Sequence, residues 1–259
     1  SRKTKGGVKT DIPCITVFVA KKKKLSELKP SEVIPTEIDG MVTDVIQAKF
    51  KALGCLPAKQ KIKSGWVPGG DRTAKWRPAP GGVSVGHPDI TAGTLGGWVY
   101  KEGKFYILSN NHVLANCNEA EIGDSIYQPG VYDGGTEADK IAELSDYVTL
   151  DFSGGNNEVD CAIAEALDPD DVDVQIADLT SKVKYITNAV LGMPTTKSGR
   201  TSGITEGPVD ITNLTAEVSY PGGRVATFIH QIGIATDNYL AAGDSGSLML
   251  QKVDGEPDT

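Results

Sequence analysis

The feature that most constrains the fold is a long series of short β-branched and aromatic runs, separated by Gly, Asn and Asp, which begins after Asp89. The predicted strands are residues 91–100, 104–109, 125–128, 142–144, 148–152, 162–166, 185–191, 207–211, 216–220, 227–234 and 247–251. The first two form a hairpin across Glu102-Gly103, a pair typical of a tight turn. Many short strands at near-regular spacing, without a long amphipathic helix, predict a mainly β sandwich or barrel.

The amino-terminal region is organised differently. Residues 12–20 and 41–48 are β-branched runs that predict two strands. Pro30 and Pro35 leave room for only a short helix between them. We therefore expect a small, basic α+β domain over residues 1–56.

A connector is predicted between this domain and the β-rich part. Residues 57–83 are rich in Pro, Gly and Lys, and we expect them to lie on the surface, pinned by Trp66 and Trp76. Lysines beside aromatic residues also occur in proteins that bind nucleic acids. No nucleic-acid motif accompanies them here, so nucleic acid is not a predicted partner.

Charge is unevenly distributed along the chain. The net charge is −8, yet residues 1–80 carry 17 Lys and Arg against 7 Asp and Glu, which leaves −18 on residues 81–259. The simplest interpretation is a solvated basic face. The alternative is a basic module that attracts the acidic remainder of the chain or an acidic partner.

Composition indicates a globular protein. Hydrophobic residues make up 39% and charged residues 23% of the chain, and no apolar run is long enough to span a membrane. The first residues are not followed by the apolar stretch of a secretory signal. We expect a cytoplasmic location and reduced, mostly buried thiols, because no C-x-x-C spacing is present. The four cysteines are Cys14, Cys55, Cys117 and Cys161.

Neither a metal nor an organic cofactor is predicted. A zinc site needs histidines at ligand spacing. The three histidines, His87, His112 and His230, are too scattered to offer it.

The chemistry is indicated by the turn Gly243-Asp244-Ser245-Gly246-Ser247. Glycines allow backbone angles that a Cβ would forbid, and they let a substrate carbonyl approach peptide N–H groups. Such a turn suits a serine nucleophile with an oxyanion hole. An ordinary Gly/Asp/Ser turn is the alternative, so the interpretation depends on a base and an acid elsewhere in the chain.

His112 and Asp160 are the candidates for that base and acid. His112 follows an apolar run that ends in small polar residues, so it stands at the expected end of a strand. Asp160 opens a fully apolar run, where a buried carboxylate needs a partner. Alone, each is common as a core histidine or a turn acid. With Ser245 they predict a triad in which Ser245 attacks, His112 transfers the proton and Asp160 orients the imidazole.

Four blocks resemble the trypsin-like (chymotrypsin-fold) serine peptidases of bacteria. They are residues 108–113, 159–164, 197–203 and 242–247. The resemblance covers residues 84 to 259 and implies two six-stranded antiparallel β-barrels, over 84–175 and 176–259, with the triad in the cleft between them.

The same resemblance implies roles for further residues. Gly243 and Ser245 would supply the oxyanion N–H groups. Arg200 would form an ion pair with Asp244 and hold the oxyanion loop open. Tyr239, Leu240 and Ala241 would contact the substrate. Tyr239 stands where enzymes that cleave after Lys or Arg carry an acid, which argues against basic substrate side chains.

The amino-terminal unit resembles that of the NARROW LEAF 1-like group of peptidases in plants and bacteria. That group places a small domain ahead of the peptidase domain and includes homo-oligomers. The resemblance therefore implies a homo-oligomer as one arrangement of the protein.

Three departures from the family pattern affect these expectations. Ser247 replaces a usual glycine, and Asn110 and Asn111 replace the usual small pair before the histidine. Few residues follow Ser245, too few for the last strands of the second barrel. We expect those strands to come from a continuation of the chain, a cleaved fragment or another subunit, because an open barrel leaves unpaired strand edges.

Two functions are consistent with the sequence. The first is a serine endopeptidase that acts on proteins or peptides through an acyl-enzyme. The second is a non-catalytic or regulatory scaffold that keeps the peptidase fold and binds protein partners, since a fold does not guarantee activity. The intact triad favours the first.

Overall fold

The computed structural model describes residues 1–48, 50–51, 69–179, 183 and 185–252 of the chain. Within these residues the protein is mainly β, with twenty-one strands, one single-turn α-helix and seven 3₁₀ turns, so the predicted class is confirmed. No helix in these ranges is long and apolar enough to cross a membrane. Cys55, Trp66 and residues 57–68 of the predicted connector lie outside the described residues.

The amino-terminal unit is built from two small sheets. Its strands are β1 (Arg2–Lys5), β2 (Val8–Pro13), β3 (Ile15–Val19), β4 (Glu37–Ile38) and β5 (Met41–Gln47). β1 and β2 form an antiparallel hairpin, and β5 lies between β3, to which it is parallel, and β4, to which it is antiparallel.

Two details of this unit differ from the prediction. The strand expected over residues 12–20 is interrupted at the buried Cys14. The expected short helix is wrong: the segment holds two 3₁₀ turns, Leu25–Glu27 and Pro30–Glu32. Pro35 disfavours helical angles at the residue before it, so a helix that begins at Pro30 cannot extend.

The next part of the chain carries the short helix and most of the strands. Its elements are β6 (Phe50–Lys51), β7 (Ala79–Gly81), β8 (Ser84–Val85), β9 (Gly93–Thr94), β10 (Gly97–Lys101), β11 (Lys104–Ser109), α1 (Asn111–Leu114), β12 (Ser125–Tyr127), β13 (Lys140–Tyr147), β14 (Asn156–Asn157), β15 (Ala162–Ala166) and β16 (Val172–Ile176). Five of them form an antiparallel sheet in the order β10-β11-β15-β13-β12. The 3₁₀ turns of this part are Asn116–Asn118, Val131–Asp133, Glu137–Asp139 and Pro169–Asp171.

The hairpin between β10 and β11 is confirmed. Its turn residues, Glu102 and Gly103, have φ values of 52° and 86°, which a two-residue hairpin turn requires. The strand predicted over 148–152 is wrong. Asn118 explains the error. Its side-chain amide accepts the N–H of Leu150 and donates to the carbonyl of Leu150, so these groups are not available to a neighbouring strand.

The hydrophobic core of this part packs against the five-stranded sheet. Its fully buried members include Val85, Leu95, Ile107, Leu114, Ile126, Ile141 and Leu144. Burial of each such side chain contributes about 1.5–3 kcal/mol. All four residues of α1 are buried, so this core holds in place the turn that carries His112.

The surface connector predicted over residues 57–83 is wrong for its described part. Arg72, Ala79 and Val83 are all buried. β7 pairs in parallel with β16, and the Arg72 guanidinium binds Asp178 at 2.6 Å. This segment therefore belongs to the body of the β-rich unit, because its backbone and its charge both find partners there.

The last part of the chain forms two further sheets. Its strands are β17 (Pro194–Gly199), β18 (Gly203–Pro208), β19 (Ile211–Ser219), β20 (Val225–Gly233) and β21 (Met249–Gln251), with a 3₁₀ turn at Pro221–Gly223. One sheet has the order β18-β17-β21 and the other β14-β20-β19-β6. Six strands in each of two closed barrels stay a prediction.

One strand prediction fails in this part, and one strand of this part was not predicted. Residues 185–191 contain no strand, and Tyr185 and Ile186 are almost fully exposed. β17 was not predicted, because its sequence, Pro-Thr-Thr-Lys-Ser-Gly, is polar and lacks alternating apolar residues, although all but its first residue are buried.

Candidate active site

His112 and Asp160 form a direct pair. β11 ends at Ser109, and the single turn α1 then places the His112 ring in a buried position beside the loop that precedes β15. His112 Nδ1 lies 2.5 Å from Asp160 Oδ2, and the backbone N–H of His112 donates to Asp160 Oδ1 at 3.2 Å. The carboxylate therefore binds the ring and the backbone of one residue, which restricts the orientation of the imidazole.

The environment of Asp160 favours its ionised form. Burial alone would raise the pKa of this carboxyl, but the charge and hydrogen bonds of His112 and the hydroxyl of Tyr220 outweigh it, so its pKa lies below the usual range. Tyr220 Oη donates to Asp160 Oδ2 at 2.9 Å. A carboxylate that stays charged beside an imidazole can stabilise the imidazolium form.

The two asparagines before His112 take structural roles. Asn110 Nδ2 donates to the carbonyl of Asp160 at 2.6 Å, which ties the acid's loop to the start of α1. Asn111 is fully buried and exchanges hydrogen bonds with Asn118 through its side chain. Their polarity, unusual for the family pattern, is thus satisfied within the loops that position the histidine.

Ser245 lies on a tight loop that packs against β9. Gly243 and Gly246, on either side of it, have φ values of 97° and 96°. Thr94 fixes the loop twice: its N–H donates to the Ser245 carbonyl at 2.7 Å and its hydroxyl to the Gly243 carbonyl at 2.8 Å. Ser245, His112 and Asp160 line one cleft of about 730 Å³.

The peptide groups around Ser245 have defined directions. The carbonyl of Ala242 accepts the hydroxyl of Thr201 at 2.7 Å, and the carbonyl of Asp244 accepts the N–H of Ser247 at 3.0 Å. In a trans peptide the N–H points opposite to the carbonyl, so the N–H groups of Gly243 and Ser245 point away from these anchors. Ser247 Oγ also donates to the Asp244 carbonyl at 2.6 Å, which gives its side chain a place in the turn.

Asp244 is held by a buried lysine. Lys197 Nζ lies 2.9 Å from Asp244 Oδ2, and both side chains are almost fully buried. The carboxylate also accepts the N–H groups of Thr201 and Ser202, at 2.9 and 3.0 Å. Burial alone would raise the pKa of Asp244, but Lys197 and Ser202 hold it below the usual range. Burial lowers the pKa of Lys197, and the charge of Asp244 opposes that shift.

The predicted ion pair between Arg200 and Asp244 is wrong. Arg200 instead makes a two-pronged ion pair with Asp133, in which Nε donates to Oδ2 at 2.8 Å. The physical reason lies in the backbone: the N–H groups of Thr201 and Ser202 point to Asp244, whereas the N–H of Arg200 points to Thr94. Arg200 still supports the loop indirectly, since Nη1 donates to the Thr201 hydroxyl that anchors Ala242.

The three residues predicted to contact substrate have different positions. Leu240 is 56% exposed and lines the cleft. The prediction for the Tyr239 side chain is wrong: it is buried, and its hydroxyl lies 3.1 Å from Thr195 Oγ1 because a buried phenol needs a hydrogen-bond partner. Ala241 donates its N–H to Asp244 Oδ2 at 2.8 Å and so belongs to the support of the loop.

The described cysteines, Cys14, Cys117 and Cys161, are reduced thiols, as predicted. Cys161 follows Asp160 and also lines the cleft. Burial raises the pKa of its thiol, and the neighbouring carboxylates Asp160 and Asp146 act in the same direction. A thiol in that environment stays protonated and is a poor nucleophile.

Sequence reasoning missed Lys197, Tyr220 and Asp133. Lys197 stands among small polar residues that resemble a loop, Tyr220 follows an ordinary strand, and Asp133 is one of many acids in Gly-rich turns. Each acts on a residue far away in the chain, so no local spacing identifies it. The one available signal was indirect, since the buried acids Asp160 and Asp244 each required donors.

No family model matches the chain. Protein NARROW LEAF 1 of Oryza sativa subsp. japonica is 26% identical over 285 aligned residues, which cover 95% of this chain and 47% of that protein. The chain thus spans about half the length of the curated relative it matches. This similarity agrees with the resemblance of the amino-terminal unit noted from the sequence.

Solved bacterial chymotrypsin-fold serine proteases are also similar to the chain. A protease described as specific for glutamic acid has 21% identity and a TM-score of 0.47, over 66% of this chain and 79% of that one. Nocardiopsis protease has 18% identity and a TM-score of 0.45, over 66% and 78%. Cellulomonas bogoriensis chymotrypsin has 19% identity and a TM-score of 0.42, over 66% and 76%. They belong to the family that the sequence blocks resemble.

Proposed function

We propose that the protein is a serine endopeptidase that hydrolyses peptide bonds through an acyl-enzyme, with Ser245, His112 and Asp160 as its catalytic residues. The observation that carries the proposal is the bond between His112 Nδ1 and Asp160 Oδ2, in a cleft that Ser245 also lines. With Nδ1 bound to an ionised carboxylate, the imidazole keeps its proton there and presents Nε2 as the base.

The reaction follows from these roles. Ser245 Oγ forms a bond to the substrate carbonyl carbon while its proton passes to His112, and the carbonyl oxygen becomes an oxyanion. The C–N bond then breaks as His112 returns the proton to the leaving amine. Water, deprotonated by the same imidazole, attacks the acyl carbon. The bond from that carbon to Ser245 Oγ then breaks, His112 returns the proton to Oγ, and the acid is released.

Stabilisation of the oxyanion is assigned to the N–H groups of Gly243 and Ser245. Their support is the anchored carbonyls of Ala242 and Asp244, which direct these N–H groups away from the body of the loop. Two fixed donors of this kind lower the barrier because they require no reorganisation when the charge forms. Lys197, through Asp244, would maintain this arrangement.

The substrate proposed is a protein or peptide with an apolar side chain near the scissile bond. The wall of the cleft that Ser245 lines also carries Leu214, Ile234 and Leu240. Apolar walls favour apolar side chains because contact removes both surfaces from water.

Labelling with a fluorophosphonate probe tests the proposal. We expect the full chain to form one covalent adduct at Ser245, located by peptide mass spectrometry, and the adduct to be lost in Ser245→Ala and His112→Ala. Tyr127→Phe is a matched control, since this half-buried tyrosine of β12 is not part of the cleft wall. A folded wild-type protein that takes no label would overturn the proposal and favour the scaffold function.

A further inference from the structure

We propose that Tyr220 is a positioning residue of the active site, whose hydroxyl reaches across from the second half of the β-rich unit and holds Asp160 in place behind His112. This inference rests on the proposed function. The direct observation is that Tyr220 Oη donates to Asp160 Oδ2 at 2.9 Å, on the same oxygen that binds His112 Nδ1 at 2.5 Å.

The backbone around Tyr220 is held firmly. Tyr220 follows the last residue of β19 and precedes the turn Pro221–Gly223 that leads into β20. Its N–H donates to the carbonyl of Arg224 at 2.8 Å, which closes the hairpin. Gly222 and Gly223 have φ values of 74° and 75°, which give a narrow turn. The long β19–β20 hairpin therefore presents the tyrosine at a fixed point.

The ring of Tyr220 is fixed as well. The residue is 6% exposed, and its ring packs edge-on against Phe152 with centroids 5.2 Å apart and lies against Phe228 at 6.5 Å. It also approaches the His112 ring edge-on, with centroids 6.0 Å apart. A buried phenol with this packing has one direction for its hydroxyl, and that direction leads to Asp160.

The hydroxyl completes the set of donors around Asp160. The N–H of His112 binds Oδ1, whereas His112 Nδ1 and Tyr220 Oη share Oδ2. With both oxygens bound, the carboxylate cannot rotate away from the imidazole. Within the described residues, Asp160 interacts with the titratable groups of His112 and Tyr220 and with the protonated thiol of Cys161, on which Asp146 also acts, and Glu158 lines the same cleft.

Tyr220→Phe is the informative variant because it keeps the ring and its contacts and removes only the hydroxyl. Without this donor the negative charge of Asp160 is less neutralised and favours imidazolium at His112. We therefore expect the titration midpoint of the His112 ring, followed by NMR and assigned with His112→Ala, to move to higher pH. Tyr127→Phe should leave the His112 midpoint unchanged and is the matched control, since Tyr127 is not part of the cleft wall.

The same variant should react more slowly. A hydrogen bond to a charged group contributes more than a neutral one, so we expect fluorophosphonate labelling to fall by about tenfold or more. The acidic limb of the rate–pH profile should move upward together with the NMR midpoint, a shift that a merely structural role would not produce. Tyr127→Phe should label at the wild-type rate.

The outcomes separate the two proposals. Unchanged labelling and an unchanged His112 midpoint in folded Tyr220→Phe would overturn the role of Tyr220 and leave the peptidase proposal intact. A wild-type protein that takes no label would overturn the peptidase proposal. In that case the NMR titration still decides whether Tyr220 holds the Asp160–His112 pair.

Discussion

At the scale of single residues, Lys197 is a buried cation that pairs with the loop carrying Ser245. Its side chain is 1% exposed and its ammonium group meets Asp244, the residue directly before Ser245. A buried ion pair adds little net free energy of folding, because desolvation of the two charges offsets their attraction. Removal of one partner is nevertheless costly, because it leaves an uncompensated buried charge. The position of Ser245 is thus linked to a lysine on β17.

Lys197→Met tests this link. The variant keeps most of the apolar stem but removes the charge, so we expect the free energy of unfolding, measured by urea denaturation, to fall by about 3–5 kcal/mol. Labelling of the folded variant should be slower. Without Lys197, the unpaired Asp244 carboxylate is expected to move towards solvent, and this movement would displace the N–H of the adjacent Ser245. Labelling at the wild-type rate would show that the backbone donors of Thr201 and Ser202 hold the loop by themselves.

Lys252→Met provides the matched control for that measurement. Lys252 pairs with Glu206 at 2.7 Å, but the side chains are 37% and 49% exposed. Exposed pairs contribute less than about 1 kcal/mol. The difference between the two lysine variants therefore measures the effect of burial.

At the scale of elements, the loop that carries Ser245 packs closely against β9 and β11 at Gly246. A Cβ at Gly246 would lie 2.3 Å from the Thr94 carbonyl oxygen and 2.1 Å from Ser109 Oγ. Gly246 also has a positive φ, which side chains other than hydrogen rarely tolerate. The glycine is required both by the turn and by the close approach of β9 and β11.

Gly246→Ala should therefore lower the free energy of unfolding by more than backbone strain at a positive φ accounts for. Gly103, in the β10–β11 turn, also has a positive φ of 86°, but a Cβ there would enter open space. We expect Gly246→Ala to destabilise the protein by about 1–3 kcal/mol more than Gly103→Ala, because the new methyl group must displace packed atoms. Urea denaturation of both variants measures this difference, and equal losses would contradict the close approach.

The elements also show how far sequence patterns extend. β11, β15 and the β10–β11 hairpin were predictable because an apolar run with turn residues at its ends is a local signal. β17 was not, because its buried Thr, Lys and Ser residues owe their burial to partners on other strands. For residues 185–191 the error is the reverse, a strand predicted where none forms. The apolar residues of this segment suggested a strand, but no neighbouring strand pairs with it in the described structure.

At the scale of the whole molecule, one buried ion pair joins the two halves of the β-rich unit. Asp133 belongs to a 3₁₀ turn that follows β12, and Arg200 follows β17. Their side chains are 5% and 6% exposed, and the guanidinium also lies 5.2 Å from the centre of the Tyr132 ring. Contacts of this kind hold the sheet that carries His112 against the loop that carries Ser245.

A double-mutant cycle measures this connection. We expect Arg200→Met and Asp133→Asn each to lower the free energy of unfolding by about 3–5 kcal/mol, since each leaves its partner buried and unpaired. The double variant should lose less than the sum, with a coupling energy of about 0.5–3 kcal/mol. Strict additivity in urea denaturation would show that the two side chains act independently.

By itself, the sequence determined the mainly β class and the three candidates His112, Asp160 and Ser245. These depend on local signals: turn glycines, apolar runs and the residues at their ends, all within a few positions of one another. Only the tertiary structure decided that Asp244 pairs with Lys197 rather than Arg200, and that the hydroxyl of Tyr220 reaches Asp160. Both contacts join residues that are distant in the chain, and a buried charge selects its partner by geometry and desolvation, which no spacing in the sequence records.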